Sequence, residues 1–317
     1  MKEYLINCTV QRDFHLLAFS ISEDLQLLLF TGILVMYLLT VLGNLIITGL
    51  IYVTPQLHTP MYYFLCNLSV LDIVYVSSVL PKFLSILVMG DARIVFPACI
   101  TQMFFFTFCV GAEFLLLASM AYDRYVAICV PLRYTIILTK LLCITLFSIS
   151  WMVGFFNALT HAVLVSTLSF CNSQDISHFY CDLKTMIALS SCDITDIQML
   201  VSVECVFLGL TPFVLILTSY SSIIATIIKI RSSAGRVKAF SSCSSHLTIV
   251  ILFYGTSLVS YMVPESQHSP EQDKFLSLLY TAVVPMLNPL VYTLRNKQVL
   301  RSLDNILKRQ ENMKARH

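Results

Sequence analysis

One stretch of this sequence limits the fold more than any other. From Leu25 to Leu71 there is no Asp, Glu, Lys or Arg. A helix needs about 20 mostly apolar residues to cross a lipid bilayer, so the stretch is long enough for two crossings. A turn-rich polar segment with two prolines, 54–60, divides it. The stretch therefore predicts two membrane-spanning helices joined by a short connection.

The charge content of the chain argues against water as its main solvent. Charged residues make up 12% of the 317, whereas a soluble domain has about 25%. The mean hydropathy of +0.80 agrees with this. The net charge of +2 is too small to indicate a nucleic-acid partner. We therefore expect the chain to be surrounded by a lipid bilayer and to bind no nucleic acid.

Further apolar stretches predict an all-α membrane protein, a seven-transmembrane helix bundle. We expect spans one to seven at about 25–53, 59–87, 96–129, within 141–167, and at about 197–229, 239–263 and 273–294. Residues 1–24 precede the bundle at 25–294, and 295–317 form a tail. In the tail, apolar residues at helical spacing among basic ones predict a short amphipathic helix on the membrane surface. They are Val299, Leu300, Leu303, Ile306 and Leu307.

The basic residues predict the orientation of the bundle. Fourteen of the 20 Lys and Arg residues fall in the loops after spans one, three and five and in the tail, and six fall on the other side. Cytoplasmic loops carry the excess of basic residues. We therefore expect a multi-pass plasma-membrane protein with a cytoplasmic C-terminus and an extracellular N-terminus. Asn7 begins a glycosylation sequon in that extracellular segment.

Three polar side chains are predicted at membrane depth: Asp72 in span two, Glu113 in span three and Asn288 in span seven. An ionisable group there costs roughly 2.5–3.5 kcal/mol unless it faces the interior and has a partner, so the three should meet inside the bundle. Two interpretations remain open. Their oxygens could hold a hard cation such as sodium, or both acids could be protonated and hydrogen-bonded to neighbours. Pro289 should kink span seven beside them.

Four cysteines belong to the extracellular side. Cys99 begins span three, and Cys171, Cys181 and Cys192 lie in the loop between spans four and five. Disulfides are permitted in an oxidising compartment, and four cysteines allow three pairings between which the sequence does not choose. A loop of about 30 residues is usually either functional or disordered, and its cysteines favour order. We expect it to form a lid over the bundle.

Several motifs together carry a family resemblance. MAYDRYVAIC ends span three, PMLNPLVYTLRN lies in span seven and Gly43-Asn44 lies in span one. With seven spans, these motifs resemble those of rhodopsin-like (class A) G-protein-coupled receptors. Within that group the chain resembles the odorant (olfactory) receptors, through LHTPMYYFLCNLSVLD, PKFL, MAYDRYVAICVPLRY, Ser219-Tyr220, KAFSSCSSHL and PMLNPLVYTLRNK. The matches extend over 43–297, and their combination is specific although no single motif is.

The resemblance implies a switch at the G-protein face of the bundle, with two tyrosines that move towards it on activation. The matching residues are Asp123, Arg124, Tyr125, Tyr220 and Tyr292. The polar cluster of spans two, three and seven matches a site that often binds sodium in such receptors.

The resemblance also implies two disulfides, Cys99–Cys181 and Cys171–Cys192. This chain departs from the family pattern at the second one. Cys192 lies one residue beyond the usual spacing after Cys181, and Ser191 stands in its place.

In similar receptors the odorant lies between spans three, five, six and seven, beneath the lid. The resemblance therefore implies that small, mostly apolar volatile molecules bind in the bundle, and a mostly apolar lining suits such ligands. Glu204 stands out in this lining as an acid that would attract an amine, donate to a carbonyl when protonated, or face another helix or the loop. The matching positions are Met103, Phe106, Thr107, Val110, Gly111, Glu204, Cys205, Leu208, Tyr254, Ser257, Leu258, Tyr261, Leu278 and Thr281.

The resemblance implies an odorant receptor, not an enzyme, that activates a stimulatory, olfactory-type G protein and so raises cyclic AMP. A non-olfactory chemosensory receptor of the same kind is the alternative. An ion-coupled transporter would use Asp72 and Glu113, but the sequence shows no paired halves with matching broken helices. A membrane enzyme would need a motif such as GxSxG or a phosphate-binding loop, and the sequence has neither.

Overall fold

A computed structural model describes residues 13–171, 173–262, 270–294, 299–304 and 308. Asn7 of the predicted sequon, and Ile306 and Leu307 of the predicted tail helix, lie outside these residues.

Seven long helical segments form the described part of the bundle. Six are long and apolar enough to cross a membrane as they stand, and span six is the seventh if its two parts, bent by 43° between Ser233–Ser241 and Cys243–Ser257, count as one span. The predicted all-α seven-helix architecture is confirmed. Spans one to four are Glu23–Val53, Pro60–Met89, Phe96–Cys129 and Lys140–Ser166, span five runs over 195–229, span six is Ser233–Met262, and span seven runs over 270–294.

Local chemistry accounts for several helix ends. Proline stands in the first turn of spans two and three, where its missing N–H has no helical partner to lose. Span two ends at Gly90, whose φ of 67° lies in the left-handed region that glycine adopts without strain. The side chain of Thr139 caps span four by accepting from the Leu142 N–H at 3.2 Å.

Spans five to seven differ from the sequence prediction in detail. Span five contains a π-helical segment at Cys205–Leu210, and span seven contains one at Leu279–Val283. Span six begins at Ser233, whereas the prediction placed a loop up to residue 238. The residues of that segment include Ala, Arg and Lys, which favour helix, so the helix begins before the apolar stretch from which span six was predicted.

Three short strands cover one end of the bundle, here called the capped end. β1 (Asp13–Leu16) lies between β2 (Arg93–Val95), to which it is antiparallel, and β3 (Asp175–Ile176), to which it is parallel. Phe14 and Leu16 of β1 point inward and are buried. These strands were not predicted from the sequence, although the alternation of polar and apolar residues in β1 is typical of a strand.

Two glycines allow close crossings between helices. A Cβ at Gly154 of span four would lie 2.7 Å from the Phe108 carbonyl oxygen and 2.9 Å from the Ala112 amide nitrogen of span three. A Cβ at Gly43 of span one would lie 3.0 Å from the Pro289 ring of span seven. The backbones of these helix pairs therefore approach each other directly.

The helical residues 299–304 continue the fold beyond span seven. Val299 is buried against the main core, Leu303 is partly buried there, and Leu300 is exposed. Asp304 and Lys308 form an ion pair of 2.6 Å on this segment. Val299 and Leu303 of the predicted tail helix therefore face the bundle, and its placement on the membrane surface stays a prediction.

Candidate functional site

At the end of the bundle away from the strands, span three carries the predicted switch. Asp123 is fully buried, and its Oδ2 accepts from Arg124 Nε at 2.9 Å. Tyr134, in the short helix Tyr134–Ile137, donates to the other oxygen of Asp123 at 2.8 Å. Burial first, and then the Asp123 charge, raises the pKa of Tyr134 above its usual range, so the phenol remains a donor. Tyr125 is half-buried beside this group.

Span six contributes a residue that the sequence analysis did not assign. His246 Nε2 is 3.1 Å from the Leu117 carbonyl oxygen, and Nδ1 is 2.7 Å from the Tyr220 hydroxyl. Because the carbonyl only accepts, Nε2 carries a proton, and in the neutral ring Nδ1 accepts from Tyr220. Spans three, five and six are thereby joined next to the switch. The signal was the position of His246 at the end of KAFSSCSSH.

Tyr292, the second predicted tyrosine, lies in the core with 1% of its surface exposed. Its hydroxyl is buried and has no hydrogen-bond partner within the described ranges. The structure therefore places Tyr220 in a hydrogen-bonded site and Tyr292 in an apolar one.

The polar residues predicted at membrane depth come together inside the bundle. Asn288 Nδ2 donates to both oxygens of Asp72, at 3.0 and 2.9 Å. Glu113 is also buried. Asn44 of span one is buried and donates to the Thr40 carbonyl of its own helix at 3.0 Å. Several oxygens of this group are buried without a partner among the described residues: Glu113 Oε1, Asn288 Oδ1 and Asn44 Oδ1.

Residues 167–194, apart from the undescribed 172, form the predicted lid at the capped end. The Cys99–Cys181 disulfide joins the lid to span three, and the Cys181 N–H donates to Gln102 Oε1 at 2.8 Å. The lid thus sits on the start of span three through a covalent bond and a buried hydrogen bond.

A chain of buried hydrogen bonds joins the lid to span seven. His178 Nε2 is 3.0 Å from Ser277 Oγ, the Tyr280 hydroxyl is 3.0 Å from the same Oγ, and the Tyr180 and Tyr280 hydroxyls are 2.7 Å apart. Burial first, and then the nearby Lys274 and Lys184, lowers the pKa of His178 to about 3. These residues were missed, because nothing local in the sequence pairs a loop with a helix about 100 residues later.

The lid reaches the predicted ligand residues. The Phe106 ring lies 5.0 Å from that of Tyr180, 6.3 Å from that of Tyr280 and 5.2 Å from that of Tyr75. Met103 is fully buried in the cluster that contains the strands and the disulfide. Both predicted positions therefore touch residues of the capped end.

The other predicted ligand positions divide by exposure. Gly111, Tyr254 and Thr281 are buried, whereas Thr107, Val110, Leu208, Ser257 and Leu278 are half-buried. Tyr254 packs against Phe114 and Phe213, with ring centroids 5.2 and 4.9 Å away. Cys205 is exposed. The side chains of Leu258 and Tyr261 lie outside what the structure describes.

Glu204 faces another helix. Its Oε2 contacts Nε2 of His161 in span four. With its amide nitrogen turned towards Glu204, Asn157 donates to Oε1 at 2.9 Å and to Oε2 at 3.1 Å. Of the alternatives open for Glu204, the contact with a second helix is the one observed.

The predicted Cys171–Cys192 disulfide is wrong. Cys171 is disulfide-bonded, but Cys192 is an exposed free thiol. The backbone explains why, because the Cys171 N–H donates to Ser191 Oγ at 3.1 Å and the Ser191 N–H donates to the Ser169 carbonyl at 2.9 Å. Ser191 therefore occupies the position beside Cys171, and the one-residue shift moves Cys192 away from it.

Comparison with known proteins agrees with the motifs and the fold. The olfactory receptor family model matches residues 33–310. The human olfactory receptor 1C1 is 45% identical over 95% of this chain and 96% of its own length, and the mouse olfactory receptor 3A10 is 46% identical over the same shares. The canine olfactory receptor-like protein OLF3 is 44% identical over 92% of each chain. The chain therefore belongs to the olfactory receptor family, whose members are G-protein-coupled odorant receptors of the membrane and not enzymes.

Proposed function

We propose that this odorant receptor binds small, mostly apolar volatile molecules beneath its lid and signals through a stimulatory, olfactory-type G protein to cyclic AMP. The basic residues support an orientation with the capped end outside the cell and the Arg124 end in the cytoplasm. In that orientation the lid faces arriving odorants and the switch faces the G protein.

The observation that carries the proposal is the buried contact between Asp123 and Arg124. Asp123 has one oxygen on Arg124 and the other on Tyr134. A charged side chain held in this way belongs to a state of the bundle in which Arg124 is not available to a partner. Release of Arg124 would give a second state that offers a cation at the cytoplasmic end.

The ligand acts by shifting the balance between these states. A ligand moves a conformational equilibrium only as far as it binds one state better than the other. The lid contacts both Phe106 of span three and Tyr280 of span seven. A molecule that reorders these contacts would therefore change the relative position of two spans whose other ends carry the switch and Tyr292.

We also propose a sodium ion in the interior cluster. Within the part of the chain that the structure describes, Glu113, Asn288 and Asn44 each have an oxygen without a partner, and these residues are buried with the Asp72 carboxylate. A buried acceptor without a partner costs about 1–3 kcal/mol, and oxygen ligands suit a hard cation. These side chains fit an ion that would fill the unmet acceptors and offset the acid charge.

Cyclic AMP in cells tests the proposal. The receptor is co-expressed with a stimulatory G protein and trafficking helpers and is screened against a broad panel of volatiles. Arg124→Ala should abolish the response, whereas Arg133→Ala, an exposed arginine of the following connection, should keep it. An Arg124→Ala response equal to wild type would refute the switch. Silence of a surface-expressed receptor to all volatiles would favour the non-olfactory chemosensory alternative.

A further inference from the structure

Three polar side chains meet between spans four and five, and we call them the Glu204 cluster: Asn157, His161 and Glu204. His161 is almost sealed, with 2% of its side chain exposed, whereas Glu204 keeps 21%. The carboxylate contacts the His161 ring on one oxygen and the Asn157 amide on both. The cluster therefore holds its acid from one side and leaves part of it accessible.

Joining two helices does not by itself call for ionisable side chains. Charged side chains at membrane depth are costly, and apolar residues of similar volume join helices at least as stably as a buried ion pair. An ionisable pair within a membrane segment is by default a candidate functional site.

The cluster is also not saturated. His161 Nδ1 is buried and has no hydrogen-bond partner among the residues that the structure describes. A Cβ placed at Gly111 of span three would meet the Asn157 amide at 3.6 Å, so the cluster adjoins a predicted ligand position that has no side chain. The π-helical segment Cys205–Leu210 begins directly after Glu204, and such segments are frequent at functional sites.

We propose that the Glu204 cluster recognises a protonated amine on the odorant. The donors already present, the Asn157 amide and the His161 ring, are directed at the carboxylate and stabilise it as an acceptor. The accessible part of the carboxylate therefore needs a further donor, and a cation would also offset its charge in the low-dielectric bundle. The apolar remainder of the molecule would lie among the neighbouring apolar side chains. This inference rests on the proposed odorant-binding function and names one ligand class for it.

Probes that differ only in the head group test the inference. n-Heptylamine, n-heptanol and n-heptane are compared at neutral pH, where the amine is protonated, with cyclic AMP as the readout. The variants are Glu204→Gln, which removes the charge, Glu204→Asp, which keeps it, and Asp196→Asn, which removes an exposed acid on the same span. Surface levels are measured for each, and a volatile that activates wild type through Arg124 serves as the reference agonist.

We expect wild type and Asp196→Asn to respond to the amine at lower concentration than to the alcohol. Glu204→Gln should raise the amine concentration needed by roughly 10- to 100-fold, the range for loss of one charge-assisted hydrogen bond, and leave the alcohol unchanged. If Glu204→Gln does not reach the surface, Glu204→Asp should still prefer the amine.

Other outcomes overturn the inference. If Glu204→Gln loses its cyclic AMP response to the amine and to the alcohol equally, the cluster only joins helices. If neither wild type nor Glu204→Asp prefers the amine while the reference agonist still acts, the proposed receptor function stands and amines are excluded as its ligand class. Absence of any Arg124-dependent response at full surface expression would instead count against the proposed function.

Discussion

A methyl group added at Gly154 tests the close crossing of spans three and four. The new Cβ would stand 2.7 Å from the Phe108 carbonyl oxygen and 2.9 Å from the Ala112 amide nitrogen. Both are backbone atoms, so no side chain can rotate away. The two helices must separate by about 0.7 Å at this point to turn the 2.7 Å contact into an ordinary one of 3.4 Å.

Overpacking of this kind costs about 1–3 kcal/mol. Replacing glycine by alanine in a helix returns about 0.5–1 kcal/mol through lower backbone entropy of the unfolded chain. The free energy of unfolding of Gly154→Ala should therefore fall by as much as about 2.5 kcal/mol. Gly32→Ala has the same entropic gain and nothing within 4 Å of its Cβ, so it should be as stable as wild type or more stable.

The thermal unfolding midpoint of the detergent-purified receptor measures the difference. We expect the midpoint to be lowest for Gly154→Ala, intermediate for Gly43→Ala and highest for Gly32→Ala. Gly43→Ala is intermediate because its Cβ meets only the Pro289 ring, at 3.0 Å. A Gly154→Ala midpoint equal to that of Gly32→Ala would mean that spans three and four do not touch here.

Four further perturbations give distinct outcomes. Tyr280→Phe removes the hydroxyl that joins the lid to span seven, at about 0.5–1.5 kcal/mol for each hydrogen bond, and should speed hydrogen exchange in the lid. Cys181→Ser should reduce surface expression strongly, whereas Cys192→Ser, which removes a free thiol, should leave it unchanged. Asp72→Asn should abolish any effect of sodium concentration on agonist potency, and a retained effect would refute the ion site. Burial holds the pKa of His178 in the folded protein at about 3, below the ordinary 6.5. Its contribution to stability is therefore fully present above pH 6.5 and is lost as pH falls from there towards 3, because the unfolded chain binds a proton that the folded protein does not. His178→Gln should flatten the acid loss of thermal stability over that range.

The spans could be predicted because their cause is local. A long, mostly apolar run partitions into a bilayer whatever its neighbours are, and the expected and observed ends of span three agree at residues 96 and 129. The same holds for the meeting of Asp72 and Asn288, since polar groups at membrane depth must find one another. In both cases the alternative, an apolar run in water or an unpartnered polar group in lipid, has a large free-energy cost.

Contacts between distant parts of the chain could not be predicted, because they depend on the three-dimensional arrangement of the elements and not on the local sequence. The hydrogen bond from Tyr180 to Tyr280 and the pair of His161 with Glu204 depend on how separate elements are placed. The prediction of a Cys171–Cys192 disulfide was wrong for a different reason. The family spacing places a cysteine at position 191, but this chain has Ser191 there and its cysteine at 192. A shift of one residue is enough to turn the Cys192 side chain away from Cys171.

The predicted inward face of span five shows how a small irregularity changes an assignment. An ordinary helix turns once every 3.6 residues, so positions four residues apart drift steadily around its surface. In span five, however, residues at four-residue intervals stay on one side: Glu204 and Leu208 are half-buried, and Pro212, Ile216 and Tyr220 are buried. The π-helical segment Cys205–Leu210 accommodates an extra residue and cancels much of the drift. Cys205, which the family resemblance placed in the ligand site, begins this segment and is exposed, whereas Tyr220 remains turned inward towards His246.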